Sequence, residues 1–263
     1  MKLNTEKIIA RIDGKIGWMI INNPEKRNAI SFSMREAMTQ VFNEYDKDPE
    51  VRVLIIRGSG GKAFISGADI SEFKDIRNNY DAEEKYAKAT EIMTKAMNAF
   101  KKPILAMIEG YCVGGGVATA IACDMRIATK DTKYGIPAAK LGLAYGFDNL
   151  RQLVELVGPS NAKRILFTGD MIDADDAHRI GLVDELCASD ELEDKVLSIA
   201  NKISANAPLT VLASKETVKH VLRPEIRDHQ KLKEMAKICF DSDDYREGRE
   251  AFMEKRKPEF KGR

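Results

Sequence analysis

The sequence has no apolar run of membrane length. Its longest apolar stretches are strand-sized pieces such as Val53 to Ile56, far short of the roughly 20 residues that span a bilayer. The N-terminal stretch carries no apolar signal-peptide region, so the expected location is the cytoplasm. Histidine is scarce. Only His178, His220 and His229 occur, none at ligand spacing, and no metal site is expected. The four cysteines, Cys112, Cys123, Cys187 and Cys239, form no CxxC and are expected as reduced thiols. An excess of one charge is missing too: 42 Lys and Arg stand against 41 Asp and Glu. A net charge of +1 leaves no electrostatic footprint for nucleic acid, which is not expected as a partner. Internal repeats and low-complexity segments are also lacking.

What is present suits a globular enzyme-sized body. With 263 residues and 44% hydrophobic content, the chain fits one large domain with a helical appendage. The division expected is a core over 1–195 and a C-terminal helical oligomerisation region over 196–263. Strands are predicted at Lys7 to Ile12 and Gly17 to Ile21 around an Asp13-Gly14 turn. Ser33 is expected to cap a helix to about Tyr45, with Met34, Ala37, Met38, Val41 and Phe42 at helical spacing. A buried strand follows at Val51 to Arg57. A helix is predicted to start near Asp69, and after a polar linker around Asn78 to Asp81 a longer one runs from Glu83 to Phe100. Further strands are expected at Pro103 to Ile108, Met125 to Ala128 and Leu182 to Leu186, with an Ala-rich helix ending at Cys123 and mostly helix from Asn149 onward. Strands separated by helical crossovers imply right-handed βαβ units and, on periodicity alone, a layered α/β protein. A last helix opens at Ser242-Asp243-Asp244 and runs through Lys255. Phe240, Tyr245, Phe252, Met253 and Phe260 are more apolar surface than a tail needs, and are expected to pack on the body or on a neighbouring subunit.

Two segments carry the chemistry. Lys62 to Ile70 and Ile108 to Gly116 each read as an apolar strand entering a small-residue turn that opens a helical pattern. Such a turn leaves backbone N–H groups unpaired, and the helix behind it adds partial positive charge. Two of them brought together would hold a developing oxyanion between two amide donors.

At these residues the sequence resembles the crotonase (enoyl-CoA hydratase/isomerase) superfamily. Asn22 to Ile30 resembles the family's early loop beside the CoA nucleotide. Phe64 to Ile70 and Gly110 to Gly116 resemble its two oxyanion-hole segments, and Ala122 to Ala128 the strand after them. Leu166 to Asp170, with Ala174, Ala177 and Gly181-Leu182-Val183, resembles its later helical section. The resemblance covers nearly the whole chain. It implies a crotonase-like spiral of ββα units with a C-terminal helical region, assembled as a homotrimer or dimer of trimers. It also implies an acyl-CoA substrate, with coenzyme A part of that substrate and no permanently bound cofactor. Ala68 and Gly115 are the positions whose amides would form the oxyanion hole of a thioester enolate. Lys26 and Arg27, with Lys255 or Lys257 near the C-terminus, would meet the CoA phosphates. Ser66, Gly67 and Ile70 would line the acyl–pantetheine passage.

The sequence departs from the family's hydratases at the proton-handling positions. A hydratase of this family adds water with two glutamates, one to take a proton from water and one to supply a proton to carbon. Here those positions fall on Ala118 and Ala138, whose methyl groups transfer no proton. Three residues stand nearby. Tyr145 matches a tyrosine of the family's methylmalonyl-CoA decarboxylase branch, and the stretch from Asp241 to Pro258 also resembles that branch, although the branch has histidine where this chain has Ala68. Asp148 lies where some isomerases of the family carry their acid, but it also reads as a helix N-cap. Cys112 precedes the glycines and reads first as a small buried thiol. Loss of CO2 creates an enolate without a base, so decarboxylation of a malonyl-type CoA is favoured slightly. A noncanonical hydratase or isomerase using Tyr145 or Asp148 stays open, as does a catalytically silent acyl-CoA-binding protein.

Overall fold

A computed structural model describes residues 1–69 and 80–263. Ile70, the helix expected to start near Asp69 and most of the polar linker before Tyr80 lie outside the described residues. Among the described residues, β1 (Ile8–Asp13) and β2 (Ile16–Ile21) form an antiparallel hairpin that turns at Gly14, at φ +56. Helix α1 (Phe32–Lys47) follows, then β3 (Val53–Gly58) and β4 (Ala63–Ile65), and α2 (Tyr80–Ala99). The chain continues through β5 (Ile104–Ile108), β6 (Tyr111–Val113), α3 (Gly115–Ala122), β7 (Met125–Thr129), β8 (Lys133–Gly135) and α4 (Phe147–Thr168). After β9 (Ile172–Asp173), α5 (Ala174–Arg179) and β10 (Glu185–Cys187) come four helices: α6 (Leu192–Ala205), α7 (Pro208–Leu222), α8 (His229–Asp241) and α9 (Asp243–Glu254).

The strands form two sheets, a six-stranded one in the order β1-β2-β3-β5-β7-β10 and a four-stranded one in the order β4-β6-β8-β9. Each turn of chain sends one strand to the large sheet and the next to the small one: β3 then β4, β5 then β6, β7 then β8. This is the expected spiral of ββα units. The central strands are buried on both faces and read as continuous apolar runs. Leu54, Ile56, Ile104 and Ala106 face the main core with α1 and α3, and the alternate residues Val53, Ile55, Leu105 and Met107 face α6.

Several expectations shift by a residue or two. Ser31, not Ser33, caps α1: its hydroxyl accepts from the Met34 amide at 3.4 Å, because Ser33 already lies inside the first turn. The last strand is Glu185 to Cys187, paired parallel with β7, rather than Leu182 to Leu186. The expected boundary between 195 and 196 falls inside α6. Leu192, Val196 and Ala200 of that helix pack on Trp18, Ile55 and Leu105, so its apolar face joins it to the core. Helix α4 is broken at Gly158, at φ +73, just before Pro159.

The C-terminal tail returns to the body. Ser242 caps α9 through the Tyr245 amide at 3.1 Å, and buried Asp244 accepts from the Lys261 and Gly262 amides at 2.6 and 2.8 Å. Arg52 donates to the Phe260 carbonyl at 2.6 Å. Phe252 and Met253, by contrast, stay more than four-fifths exposed in the single chain.

Candidate active site

Strand pairing brings the two small-residue turns together. β4 and β6 run parallel, with Ala63 opposite Tyr111 and Ile65 opposite Cys112, so both chains leave the sheet at the same edge. The carboxyl ends of parallel strands are where open α/β sheets place their ligands. Beyond that edge the turns touch backbone to backbone: a Cβ built on Gly115 would lie 3.7 Å from Gly67 Cα. Gly114 turns at φ +55 to open α3, while Gly116 sits so close to β4 that a Cβ there would fall 2.0 Å from the Ile65 carbonyl. Among the described residues, neither the Ala68 nor the Gly115 amide N–H has an acceptor. For Gly115 this follows from its place as the first residue of α3. For Ala68 it follows from the parallel bridge to Ile30, in which Ile30 donates to Gly67 and Asp69 donates to Ile30, leaving the amide between them unused.

The early loop is locked onto the first turn. Asn28, fully buried at φ +57, accepts from the Asn23 amide at 3.0 Å and donates to the Ser59 and Ala63 carbonyls at 2.9 and 2.7 Å. Asparagine tolerates this left-handed backbone better than most residues. The Ser66 amide donates to the Arg27 carbonyl at 3.2 Å and its hydroxyl to the Lys26 carbonyl at 3.3 Å. Lys26 Nζ lies 2.8 Å from the Asp69 carboxylate, and the Arg27 guanidinium lies over the Tyr111 ring at 5.3 Å. Lys26, Arg27, Ser66, Gly67 and Ala68 are therefore one continuous surface, assembled from segments some forty residues apart in sequence.

A cavity of about 340 Å³ opens against the paired turns. Gly67, Ala68 and Gly115 line one side, and α1, α2, α3 and the start of α4 line the rest. Ala118 lines it, one turn along α3 from Gly115, and Tyr145 reaches it from the loop before α4. The Tyr145 hydroxyl comes within 3.7 Å of the Cβ position of Gly114 and has no hydrogen-bond partner among the described residues. Burial, with a smaller contribution from nearby Cys112, pushes its phenol up to about 12, so it carries its proton at neutral pH. No aspartate or glutamate lines the cavity among the described residues.

The other candidates lie elsewhere. Ala138 is buried in a short 3₁₀ turn and does not line the cavity. Asp148 is not the N-cap of α4; Gly146 holds that position, and Asp148 in the first turn points to solvent with its side chain 71% exposed, 3.5 Å from Arg151. Cys112 is fully buried, and burial pushes its thiol well up, which leaves it protonated and unsuited to nucleophilic attack. Lys255 and Lys257 are exposed at the end of α9 and do not line the cavity. Sequence reading missed the α2 wall, although Thr90, Met93, Thr94 and Met97 follow the spacing of a single helix face. It also missed Arg35, a buried guanidinium at the cavity that donates to the Ile30 and Ser31 carbonyls at 2.9 Å each.

Comparison with known proteins gives this geometry a family. Residues 11–263 match the family described as enoyl-CoA hydratase/isomerase. The short-chain-enoyl-CoA hydratase of Clostridium acetobutylicum is 36% identical over 265 residues, covering 100% of both chains. The crotonyl-CoA hydratase of Syntrophomonas wolfei is also 36% identical, over 97% of this chain and 98% of its own. The crystal structure of an enoyl-CoA hydratase/carnithine racemase from Magnetospirillum magneticum superposes with a TM-score of 0.93 at 32% identity, covering 99% of this chain and 97% of that one. Match, relatives and fold agree over essentially the full length, and the chain belongs to the enoyl-CoA hydratase/isomerase family.

Proposed function

We propose that the protein forms and protonates a thioester enolate on an acyl-CoA, and that the enolate arises by decarboxylation of a malonyl-type CoA. The observation that carries this reading is a cavity joining two unpaired amides to a protonated phenol with no carboxylate among its described lining residues. The Ala68 and Gly115 amides receive the thioester oxygen, where negative charge grows as the reaction proceeds. The bond between the α-carbon and the carboxylate breaks, its electron pair moves into the enolate, and CO2 leaves. Tyr145 then gives its proton to the α-carbon, and the phenolate recovers a proton from water. Lys26 and Arg27 meet the CoA phosphates beside Ser66 and Gly67. The exposed apolar side chains of α9 belong to contacts between copies, as a homotrimer or dimer of trimers.

Hydration is the second reading, and the names of the relatives favour it. It needs a base for water, which alanine at 118 and 138 does not supply. Incubation with methylmalonyl-CoA, followed by CO2 release, and with crotonyl-CoA, followed by loss of enoyl absorbance, separates the two. CO2 release without hydration is the expected result. Fast hydration of crotonyl-CoA with no CO2 from the other substrate would overturn the decarboxylase reading, and tight binding with turnover of neither would identify a silent acyl-CoA binder.

A further inference from the structure

A second cavity, of about 290 Å³, adjoins the first. The two share three lining residues, Met97, Ala122 and Gln152. Each comes from a different helix, and each of those helices lines both cavities: α2 runs past the wall from Met93 to Phe100, α3 from Ala118 to Cys123, and α4 from Asn149 to Leu156. The boundary between the cavities runs through these three side chains. It is made of a flexible thioether, a methyl group and an amide whose hydrogen bond to Asn98 is long, at 3.5 Å. Helix α7 lines the second cavity through Val218 and its neighbours.

From these cavities we infer that the protein accepts acyl chains longer than about eight carbons and stores their apolar ends in the second cavity. This rests on the acyl-CoA reading above and adds the class of acyl group. Gly115 lies beside the thioester, and Ala122 at the wall is seven residues along the same helix. Seven residues rise about 10.5 Å. An extended acyl chain advances roughly 1.25 Å per bond, the projection of a C–C bond near 1.5 Å, so a chain of about eight carbons ends at the wall.

Charged groups line the second cavity as well, five cations against three carboxylates. Its acidic groups are already matched: Asp124 with Lys215 at 2.8 Å, Glu155 with Arg151 at 2.8 Å, and Glu216 with Lys231 at 2.5 Å. Arg126 gives its terminal nitrogens to Asp184 and to the Cys123 carbonyl, and only its buried Nε lacks an acceptor among the described residues. Ile121, Leu156 and Val218 supply the apolar lining.

Binding of unreactive saturated acyl-CoAs tests the inference separately from turnover. Titrating butyryl-, octanoyl- and dodecanoyl-CoA by calorimetry should give affinity that continues to rise beyond octanoyl, by at least tenfold at dodecanoyl; full burial is worth about fourfold per methylene. Leu156→Trp and Val218→Trp fill the second cavity from two different helices, and Val218 is exposed enough for its variant to fold. Both should abolish the gain beyond octanoyl and leave butyryl-CoA binding unchanged. A plateau at octanoyl in the unaltered protein, or a gain that survives both variants, overturns the inference. Tighter binding of an ω-carboxy dodecanoyl-CoA than of dodecanoyl-CoA overturns it as well, since Arg126 would then be reading a carboxylate. Turnover of short substrates without a tail gain sinks only this inference; a tail gain in a protein that turns over nothing sinks only the enolate reading.

Discussion

The cavity has two walls made in different ways. One is backbone: Gly67, Ala68, Gly114 and Gly115 line up because two parallel strands end together and the turns beyond them approach within side-chain distance. The other is side chain, with Thr90, Met93, Ala118 and Tyr145 carried on helices and loops that the fold holds at fixed places. The first wall depends on φ angles and close approach, and its N–H groups are indifferent to which residues surround them. The second is set residue by residue. Ala118 puts a methyl group on that side-chain wall, one helical turn from Gly115.

The largest expected effect breaks the backbone wall alone. Gly115 is the first residue of α3, where proline is tolerated because that N–H makes no helical bond. Gly115→Pro therefore removes the donor while keeping the helix, and turnover should fall about 10²–10³-fold. Gly115→Ala, whose Cβ meets Gly67 Cα at an ordinary 3.7 Å, should keep its rate. Equal rates for the two variants would mean that the Gly115 amide does not meet the developing charge.

Next in size is the support beneath that wall. Asn28→Ala strips hydrogen bonds from the Asn23 amide and the Ser59 and Ala63 carbonyls and puts a β-carbon at φ +57. Buried groups left unpaired cost about 1–3 kcal/mol each, so a loss on the order of 3 kcal/mol in urea unfolding is expected. Asn28→Gly relieves the backbone but not the hydrogen bonds and should recover about 1 kcal/mol of it. Full recovery in the glycine variant would assign the cost to backbone conformation instead.

The facing wall is tested by Tyr145→Phe. It keeps the ring and removes the proton, so turnover should drop about 100-fold, the lower end for acid–base help. Binding of butyryl-CoA should not change. A rate within threefold of the unaltered protein would take Tyr145 out of proton transfer and turn attention to water.

The backbone wall was the more legible of the two. Its small-residue turns follow apolar strands in sequence, which marks the two segments, while the resemblance to the family is what points to Ala68 and Gly115 within them. The pairing that brings them together could not be read, because β6, β8 and β9 are two or three residues long and too short for a hydropathy pattern. The side-chain wall is assembled from α1, α2, α3 and α4, and no local pattern joins Arg35 to Thr90 or Gln152. Asp148 illustrates the limit of a one-dimensional reading. It sits three residues from Tyr145 in sequence, yet one starts a helix facing solvent and the other turns into the cavity.

The smallest effect separates the walls by pH. Amides do not titrate, whereas Tyr145, with its phenol pushed up by burial to about 12, must stay protonated to act. A free tyrosine ionises near 10, so the folded protein holds this proton two decades longer than the unfolded chain. Turnover that depends on Tyr145 should therefore be level from pH 8 to 10 and fall only above that. Stability falls over the same interval. Above pH 10 the unfolded chain has released protons that the folded one retains at Tyr145, at Tyr45, also raised to about 12, and at Tyr134, raised further. The unfolded state then binds fewer protons, and the linkage sign makes unfolding easier as pH rises. Turnover and urea midpoints measured at half-unit steps from pH 8 to 11.5 distinguish the two declines, because the residual rate of Tyr145→Phe should track stability alone. A titration limb below pH 9 that Tyr145→Phe removes would mean the phenol is far more acidic than its burial allows.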